Sequence, residues 1–389
     1  MKGVNRTLYA EYFEFFLPTK LVFGKGKISQ LGQICAGHGK KPLIVTGKSA
    51  AKTGLLDRIV EQFSESAVFD GVIQNPMTTT AEAGLAVLRA EKCDMIVAAG
   101  GGSALDTGKA IAFMAKTGGD INDYIMLRKS GGGALPVFAV PTTAGTGSEA
   151  NCFAVLTNPE TNEKKSLKHP SIFPKAAILD PELLTTQPRH TIASTGFDAM
   201  AHNIEAYIAN RCQPIVRALA AQGISLIFEH LENVFNDPTD VDAFEHVMLA
   251  STLGGMSISM AGVGLPHAME HPVSGLYNIV HGNGLAAIMP AVLRMNTKRA
   301  PQRQAELADI LGFGIGFSDE AAKSAAFCEA VDDLLGRLKL NTTLSCLGVK
   351  HEDIGWLSNN AGMMMYSNAI NNPYIPVQDD IHELFEVCM

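Results

Sequence analysis

The chain divides into two halves by the spacing of its apolar residues. Up to about residue 185, short aliphatic and β-branched runs alternate with segments in which apolar residues recur every three or four positions. The runs predict five buried strands, at 42–46, 67–72, 94–100, 136–141 and 176–180. The segments between the first four predict helices at 50–63, 80–91 and 104–116. Buried strands that alternate with helices indicate an α/β fold with a mostly parallel sheet.

Beyond Pro188 the strand pattern disappears, and helical spacing takes its place. Apolar residues at three- and four-residue intervals predict helices at 195–209, 214–235, 241–260, 302–312 and 319–338. The sequence therefore predicts two domains. The first is an α/β domain over residues 1–188, and the second is an all-helical domain over residues 189–389.

Composition narrows the class of protein. Of 389 residues, 47% are hydrophobic and 18% are charged, which is typical of a globular chain with a large core. The net charge is −8 with no basic block, so we expect no nucleic-acid partner. Seven scattered cysteines without a C-x-x-C pair favour reduced thiols. Because Glu11 and Glu14 interrupt the region that a signal peptide keeps apolar, and no apolar run reaches membrane-span length, we expect a cytoplasmic protein without a membrane partner.

Two glycine-rich turns follow predicted strands. In residues 96–110 a strand, three glycines and a helix follow one another, and such a turn can bind phosphate through backbone N–H groups and the helix dipole. It is not a Walker A loop, because five residues separate Gly102 from Gly108 and Ala110 follows Lys109. The alternative is an ordinary tight turn without a ligand.

The second turn, PTTAGTGSEA at 141–150, contains the pattern G-x-G-x-x-A. The ordinary dinucleotide fold has a second strand ending in an acidic residue about 20 residues later, where this chain reads KKSLKHP. An ordinary Rossmann interpretation therefore does not fit. Because turns after parallel strands converge on one edge of the sheet, the two turns together still favour a nucleotide site.

Asp198 and a group of histidines form a second candidate site. Asp198 and His202 are four residues apart on a predicted helix and so lie on one face. His267, His271 and His281 lie within 15 residues among small and apolar neighbours. One carboxylate with several imidazoles suits a divalent first-row metal such as Fe²⁺ or Zn²⁺. The alternative for any single histidine is a structural, hydrogen-bonded role.

The segment HAMEH at 267–271 also matches H-x-x-E-H, a zinc peptidase pattern. In that alternative Glu270 is the general base, and His267 and His271 bind zinc. Pro272 directly follows the second histidine, which is unfavourable for a continuing helix. The peptidase hypothesis also leaves both glycine turns unexplained, so it carries less weight.

Taken together, these motifs resemble the iron-containing (group III) alcohol dehydrogenases. The resemblance runs nearly end to end and is carried by LVFGKGK at 21–27, VTGKSA at 45–50, NP at 75–76, GGGSALDTGKA at 100–110, PTTAGTGSEA at 141–150, LDPELL at 179–184, TGFDAMAHNIEAY at 195–207, the three-histidine segment at 265–284 and NNP at 371–373. It implies a dehydroquinate synthase-like architecture, in which an α/β dinucleotide domain and a helical metal-binding domain enclose the active site.

The resemblance also implies roles for individual residues. The metal ligands would be Asp198, His202, His267 and His281, and His271 would relay a proton near the nicotinamide. The implied cofactor contacts are Gly47, Asn75, Gly101, Gly102, Ser103, Asp106, Thr142, Thr143 and Lys164. We therefore expect a metal-dependent, NAD(P)-linked alcohol dehydrogenase or aldehyde reductase that acts on a small alcohol or aldehyde. We expect Fe²⁺, with Zn²⁺ as the alternative, and a homodimer or larger homo-oligomer.

Two positions depart from the family pattern. Members that prefer NAD often have Asp where this chain has Gly47, whereas here Lys48 and Ser49 follow, so we expect NADP(H) rather than NAD(H). Glu270 stands where a small residue is more usual, and its role is left open.

The substrate is the least defined part of the prediction. The residues expected in the substrate pocket are Asn151, Phe153, Met200, Met256 and Tyr277. Linear alcohols, diols, lactaldehyde-like compounds and ω-hydroxy acids all stay open. A dehydroquinate synthase-like lyase, which uses NAD and a metal, is a further alternative. Its anionic substrate requires Lys and Arg in the active site, and the two metal-binding segments contain neither.

Overall fold

The structure is a computed structural model that describes residues 13–389, so Glu11 lies outside the described residues. Its strands are β1 (Lys20–Phe23), β2 (Pro42–Val45), β3 (Ala67–Phe69), β4 (Met95–Gly100), β5 (Val137–Pro141), β6 (Phe153–Thr157), β7 (Lys164–Lys168) and β8 (Ala176–Leu179). Six of them form one parallel sheet in the order β1-β8-β5-β4-β2-β3, and β6 and β7 form a separate antiparallel hairpin.

Helices fill the connections of the first half. They are α1 (Leu31–Cys35), α2 (Ser49–Lys52), α3 (Leu55–Val60), α4 (Thr78–Ala90), α5 (Gly102–Thr117) and α6 (Ile121–Ile125). All residues of β2, β5 and β8 are buried, as expected for aliphatic strands of a sheet that is covered on both faces. The predicted α/β class with a parallel sheet is confirmed.

The structure differs from the predicted elements in several places of the first half, and β1, α1 and α6 were not predicted. The helix predicted over 50–63 is divided into α2 and α3 by Gly54, whose φ of +73° is left-handed and ends a helix. The run at 67–72 is a strand only as far as Phe69. The β6–β7 hairpin was not predicted, because KKSLK lacks the aliphatic composition of the buried strands.

The second half is helical. Its elements are α7 (Arg189–Ile208), α8 (Pro214–Asn236), α9 (Val241–Ala261), α10 (Leu265–Tyr277), α11 (His281–Arg299), α12 (Gln302–Ile310), α13 (Glu320–Arg337), α14 (Ile354–Asn359), α15 (Tyr366–Ala369) and α16 (Gln378–Cys388). Helix α7 packs against α8, α9 and α11, and its residues 196–208 are all buried. The central helix therefore holds Asp198 and His202 inside the protein.

Helix α10 continues through Pro272, contrary to the expectation that this proline would disfavour a helix there. A proline inside a helix removes one backbone hydrogen bond. Residues Leu265 to Ser274 are all buried, so tertiary packing outweighs that local cost.

No single helix in residues 13–389 is both long and apolar enough to cross a membrane. Helices α9 and α10 satisfy the length and composition test only as a pair, and they are bent by 103° relative to each other.

A cavity of about 440 Å³ lies between the two halves. On one side it is bounded by the start of α5, the loop after β5 and the β6–β7 hairpin. On the other side it is bounded by α7, α10, the start of α11 and the segment that joins α14 to α15. Both glycine turns and the histidine group therefore reach the same space.

Candidate functional site

The two glycine turns lie against each other at the carboxyl edge of the sheet. Strands β4 and β5 are neighbours, and the Thr142 N–H donates to the Gly100 carbonyl at 3.0 Å. A Cβ at Gly101 would lie 3.3 Å from the Thr143 side chain, and one at Gly102 would clash with Thr146. Glycine at these positions therefore lets the loop after β5 approach the start of α5, which is an anion-binding helix end.

The predicted cofactor residues fall into three groups. Asn75, Gly102, Ser103, Asp106 and Lys164 line the cavity. The backbone of Gly101, Thr142 and Thr143 supports the turns beside it. Gly47 lies two residues beyond the end of β2 and does not line the cavity.

Lys109 holds the loop after β5 to α5, although the sequence offered it only as part of a rejected Walker pattern. Its side chain is fully buried, and Nζ donates to Ser148 Oγ at 2.8 Å, Asn151 Oδ1 at 3.0 Å and the Phe153 carbonyl at 2.8 Å. Burial lowers the pKa of Lys109 to about 8, against the opposing effect of the Asp106 carboxylate. Three acceptors at hydrogen-bond distance make this lysine an internal anchor.

Asp106 belongs to the same buried network. Ser148 Oγ donates to Asp106 Oδ1 at 2.5 Å, and the Val155 N–H donates to Oδ2 at 2.9 Å. Burial raises the pKa of Asp106, although Lys109 and Ser148 act in the opposite direction. These contacts show that Asp106 positions the hairpin as well as lining the cavity.

Asn75 and Lys164 connect the sheet half to the helical half. Lys164 Nζ donates to Asn75 Oδ1 at 3.0 Å, and Asn75 Nδ2 donates to the Ile279 carbonyl at 2.9 Å. Lys164 Nζ also lies 3.9 Å from Glu270 Oε2. All three side chains are buried, so the cavity wall is continuous across the two halves.

The helical half brings Asp198 and the four histidines together. Asp198 Oδ1 lies 3.5 Å from His202 Nδ1, 3.6 Å from His267 Nε2 and 3.6 Å from His281 Nε2. The rings of His202 and His267 are stacked with their centroids 4.6 Å apart. These residues lie on α7, α10 and α11 and are up to 83 positions apart in the sequence. In the fold they surround one point.

The donor atoms at this point fit a divalent metal. Asp198 Oδ1 and His267 Nε2 are buried and have no hydrogen-bond partner. Ligand atoms at the corners of a tetrahedron with bonds of about 2.1 Å would lie roughly 3.4 Å apart, close to the separations from Asp198. Unpartnered buried atoms are costly, and an ion bound between them would satisfy both.

In His267 and His281 the nitrogen that does not face Asp198 lies against a carboxylate, whereas in His202 the nitrogen nearest Asp198 Oδ1 also contacts a backbone carbonyl. His202 Nδ1 donates to the Gly145 carbonyl at 3.2 Å, His267 Nδ1 donates to Glu205 Oε2, and His281 Nδ1 forms an ion pair with Glu270 Oε2. Such partners set the tautomer and the orientation of a metal-binding ring. Glu205 is fixed in turn by the backbone N–H groups of Gly264 and His267, at 3.2 and 3.1 Å.

The role of Glu205 was not predicted from the sequence, and that of Glu270 was left open. The sequence does contain a pattern that points to both residues, because Glu205 follows His202 by three residues and Glu270 follows His267 by three. On a helix this spacing places both side chains on the same face. The structure shows Glu270 completely buried and accepting a hydrogen bond from Ser274 Oγ.

The electrostatics of the cluster favour a cation. Burial opposes the charged form of His267, but the Glu205 and Asp198 carboxylates raise its pKa to about 10. Burial would raise the pKa of Glu270, yet His281 and Lys164 lower it to about 2. Burial lowers the pKa of His202 to about 4, despite Asp198. The two carboxylates that face His267 favour positive charge at this point.

His271 stands apart from the group around Asp198. Its ring centroid lies 5.9 Å from that of His267 and 5.7 Å from that of His281, and it lines the cavity. Nδ1 is buried without a hydrogen-bond partner. Burial lowers the pKa of His271 well below its ordinary value, with Lys164 adding to the effect. A neutral imidazole in this place can accept a proton.

Two of the sequence-based expectations are corrected. Glu270 contacts His281 and Ser274 and does not line the cavity, so the peptidase alternative lacks its general base. Asn151 and Phe153 line the cavity as predicted, whereas Met200, Met256 and Tyr277 do not. Met200 is buried in the main hydrophobic core, and the Tyr277 hydroxyl donates to Asp353.

Comparison with known proteins agrees with this geometry. The family model described as iron-containing alcohol dehydrogenase matches residues 18–181, and the model of the C-terminal part of the same family matches residues 192–389. The chain is 36% identical over 383 residues to the 1,3-propanediol dehydrogenase of Klebsiella pneumoniae, with 96% of this chain and 98% of that protein covered.

Two further relatives span the same length. The NAD-dependent methanol dehydrogenase of Bacillus methanolicus is 33% identical over 377 residues, covering 96% of this chain and 98% of that protein. A crystal structure of a 1,3-propanediol oxidoreductase superposes with a TM-score of 0.91 at 34% identity, covering 97% of this chain and 100% of the other. The chain therefore belongs to the iron-containing alcohol dehydrogenase family, and it is a metal-dependent alcohol dehydrogenase or aldehyde reductase with the dehydroquinate synthase-like fold.

Proposed function

We propose that the protein transfers hydride between NADP(H) and a small alcohol or aldehyde, with Fe²⁺ at the Asp198 cluster. The proposal rests on the observation that two structural features border the same cavity. One is the pair of glycine turns at the start of α5, and the other is the group of unpartnered donor atoms around Asp198. A cavity of about 440 Å³ suits a nicotinamide end together with a small substrate.

The residues of this chain supply positioning and proton handling. When bound, the metal supplies Lewis acidity, which favours loss of the alcohol proton and polarises an aldehyde carbonyl. Asp198, His202, His267 and His281 hold the metal, while Glu205 and Glu270 fix two of the rings. A nicotinamide cofactor bound at the two glycine turns would supply the hydride chemistry. His271 lies on the cavity wall with a free buried nitrogen, so it can pass the substrate proton.

The preference for NADP(H) rests on the end of β2. Gly47 is followed by the exposed residues Lys48 and Ser49, and none of the three carries a carboxylate that would repel a 2′-phosphate. A Cβ at Gly47 would meet only the Val72 carbonyl, at 3.3 Å, so an aspartate can be introduced with a small adjustment. Some relatives are named as NAD- or NADH-dependent, and the proposal therefore depends on these three residues of the present chain.

The cofactor preference is tested with Gly47→Asp. We expect the ratio of kcat/KM for NADPH to that for NADH to fall at least about tenfold, because the carboxylate repels the 2′-phosphate and accepts from the ribose hydroxyl. Lys48→Ser should lower the ratio by reducing NADPH use alone. Lys52→Ser, one turn further along α2, is the matched control and should leave it unchanged. A wild-type enzyme that uses NADH better than NADPH would contradict the preference.

The metal is tested separately. The protein is stripped with a chelator, reloaded anaerobically with Fe²⁺ or Zn²⁺, and assayed for NADPH oxidation with short aldehydes. We expect no turnover without metal and greater turnover with Fe²⁺ than with Zn²⁺. Full turnover by the stripped protein would overturn the proposed mechanism, and greater turnover with Zn²⁺ would overturn the choice of iron.

A further inference from the structure

The β6–β7 hairpin forms one wall of the cavity and carries positive charge along it. Phe153, Val155, Lys164, Lys165, Ser166 and Lys168 line the cavity from this hairpin, and Lys165 Nζ is held by Met126 Sδ at 3.5 Å. Phe153 pairs with Lys168 at one end, and Thr157 pairs with Lys164 at the other. Four residues of strand separate the two lysines by roughly 13 Å. Lys164 and Lys168 therefore lie toward opposite ends of the cavity.

The Lys168 end lies away from the phosphate-binding start of α5. The Phe153 carbonyl accepts from Lys109, which is seven residues along α5 from Gly102, or roughly 10 Å at 1.5 Å per residue. Lys168 Nζ lies 5.2 Å from the centre of the Phe153 ring. This contact holds the ammonium group beside the cavity rather than beside the glycine turns.

Arg211 lines the same cavity from the helical half. Phe153 packs against the apolar group that contains Ile258, Ala261 and Val263, and these residues precede the histidines of α10. Arg211 Nη1 lies 3.8 Å from the position of a Cβ on Gly262, and Nη2 donates to the Ser367 carbonyl at 3.3 Å. The guanidinium is thus held at the cavity wall next to the segment that leads to His267.

No carboxylate neutralises this end of the cavity. Among residues 13–389, no ion pair joins Lys168 or Arg211 to an Asp or Glu. The two carboxylates in the cavity lining are Asp106, which accepts from Ser148 and Val155, and Asp198, which belongs to the metal cluster. In a chain with a net charge of −8, two unneutralised cations beside an apolar wall indicate an anionic ligand.

We propose that the substrate is a short aldehyde, or the corresponding alcohol, with a terminal anionic group that Arg211 and Lys168 bind. This inference rests on the proposed function and narrows its substrate class to ω-oxo and ω-hydroxy acids. The reacting carbon lies toward the histidine cluster and the acid group toward Phe153. Reduction moves a hydride from NADPH to the carbonyl carbon and a proton to the oxygen, which leaves the alcohol and NADP⁺. The acid group does not change.

Arg211 and Lys168 are then specificity-determining residues. An acid group gains charge-assisted hydrogen bonds that an amide of the same shape cannot make. The apolar wall of Ile258, Val263, Met364 and Met365 accommodates a chain of a few carbon atoms between the two polar ends. Both side chains are solvent-exposed, so with a neutral aldehyde the two cations stay hydrated and contribute no charge-assisted hydrogen bond.

The test compares kcat/KM for 4-oxobutanoate with that for its neutral amide, 4-oxobutanamide, using the metal-loaded enzyme. We expect the acid to be preferred about tenfold to a hundredfold. Arg211→Met and Lys168→Met should each reduce that ratio about tenfold and raise the KM for the acid. Arg189→Met is the matched control, because Arg189 is also exposed and also donates to a backbone carbonyl, that of Asn236, outside the cavity.

The outcomes separate this inference from the proposed function. Reduction of both aldehydes at equal kcat/KM, with no change in Arg211→Met, overturns the anionic substrate and leaves the dehydrogenase intact. Reduction of neither aldehyde counts against the proposed function itself. A weaker Kd for NADPH in Lys168→Met, with an unchanged substrate ratio, would assign the lysine to the cofactor and overturn its role here. Aldehydes of equal length with sulfonate or phosphate groups then distinguish between the acid groups.

Discussion

The two halves of the protein build their parts of the site in different ways. The sheet half contributes mainly backbone groups, from two glycine turns, a helix start and a hairpin. Lys109 anchors this region through its bonds to Ser148 and the Phe153 carbonyl. The helical half presents side chains: one carboxylate and three imidazoles, two of which lie against a further buried carboxylate. The first arrangement tolerates flexible, extended ligands, whereas the second requires atoms fixed at one point.

This difference has a consequence for mutations. In the helical half a single substitution removes a donor from the metal or loosens a ring that depends on one partner. In the sheet half the phosphate contacts expected at the two glycine turns are backbone groups, which no side-chain change removes. Substitutions in the helical half should therefore eliminate metal binding and leave cofactor binding intact, while those in the sheet half act through loop position.

The largest effect is expected for His267→Ala. Loss of a donor that faces Asp198 should reduce metal affinity and kcat by at least about a thousandfold, since the metal contributes several kcal/mol to the reaction. Metal content and NADPH oxidation are the measurements. His351→Ala, an exposed histidine of the same half that pairs with Glu386, is the control. A variant that keeps metal and activity would show that the cluster is not the catalytic centre.

A smaller but still large effect is expected for Lys109→Met in the sheet half. The change leaves the Ser148, Asn151 and Phe153 acceptors without their buried donor, and it removes the cation near Asp106. We expect a loss of roughly 3–5 kcal/mol in the free energy of unfolding, measured by denaturant titration. Lys116→Met, exposed on the same helix, should change it by less than about 0.5 kcal/mol. Equal stability of the two variants would refute the anchor role.

The smallest of the three effects is expected for Glu205→Gln. The amide keeps the size of the side chain but no longer holds the His267 ring with a charge, so metal affinity should fall about tenfold to a hundredfold. Competition with a metal-sensitive dye measures this change. The Kd for NADPH should be unchanged, because Glu205 is remote from the glycine turns. Comparable weakening of NADPH binding would remove the distinction between the halves.

Much of the architecture could be predicted from the sequence because the relevant signals are local. Aliphatic runs gave the central strands, and the spacing of Asp198 and His202 placed them on one helix face. The hairpin was missed, since Lys164 to Lys168 combine polar residues with a strand that has one face in the cavity. The expectation that Pro272 disfavours a continuing helix was wrong, because helix propensity does not account for burial of the helix on all sides.

The partners within the site could not be predicted, because they depend on contacts between distant segments. Lys109 and the loop after β5 are about 40 residues apart, and Glu205 and His267 are 62 apart. Arg211 and Lys168 lie on different halves, and their presence in the lining of one cavity follows only from the packing of the two halves. The absence of Lys and Arg from the metal-binding segments was therefore a poor guide to the charge of the cavity.

The central claim is that one half binds metal and the other binds cofactor, independently. The most direct measurement is anaerobic titration of the stripped protein with Fe²⁺, with NADPH fluorescence followed before and after. We predict one Fe²⁺ per chain in the wild type and none in Asp198→Asn, with Kd values for NADPH that agree within about threefold throughout. Tight Fe²⁺ binding by Asp198→Asn, or loss of NADPH binding when the metal is removed, would contradict the account.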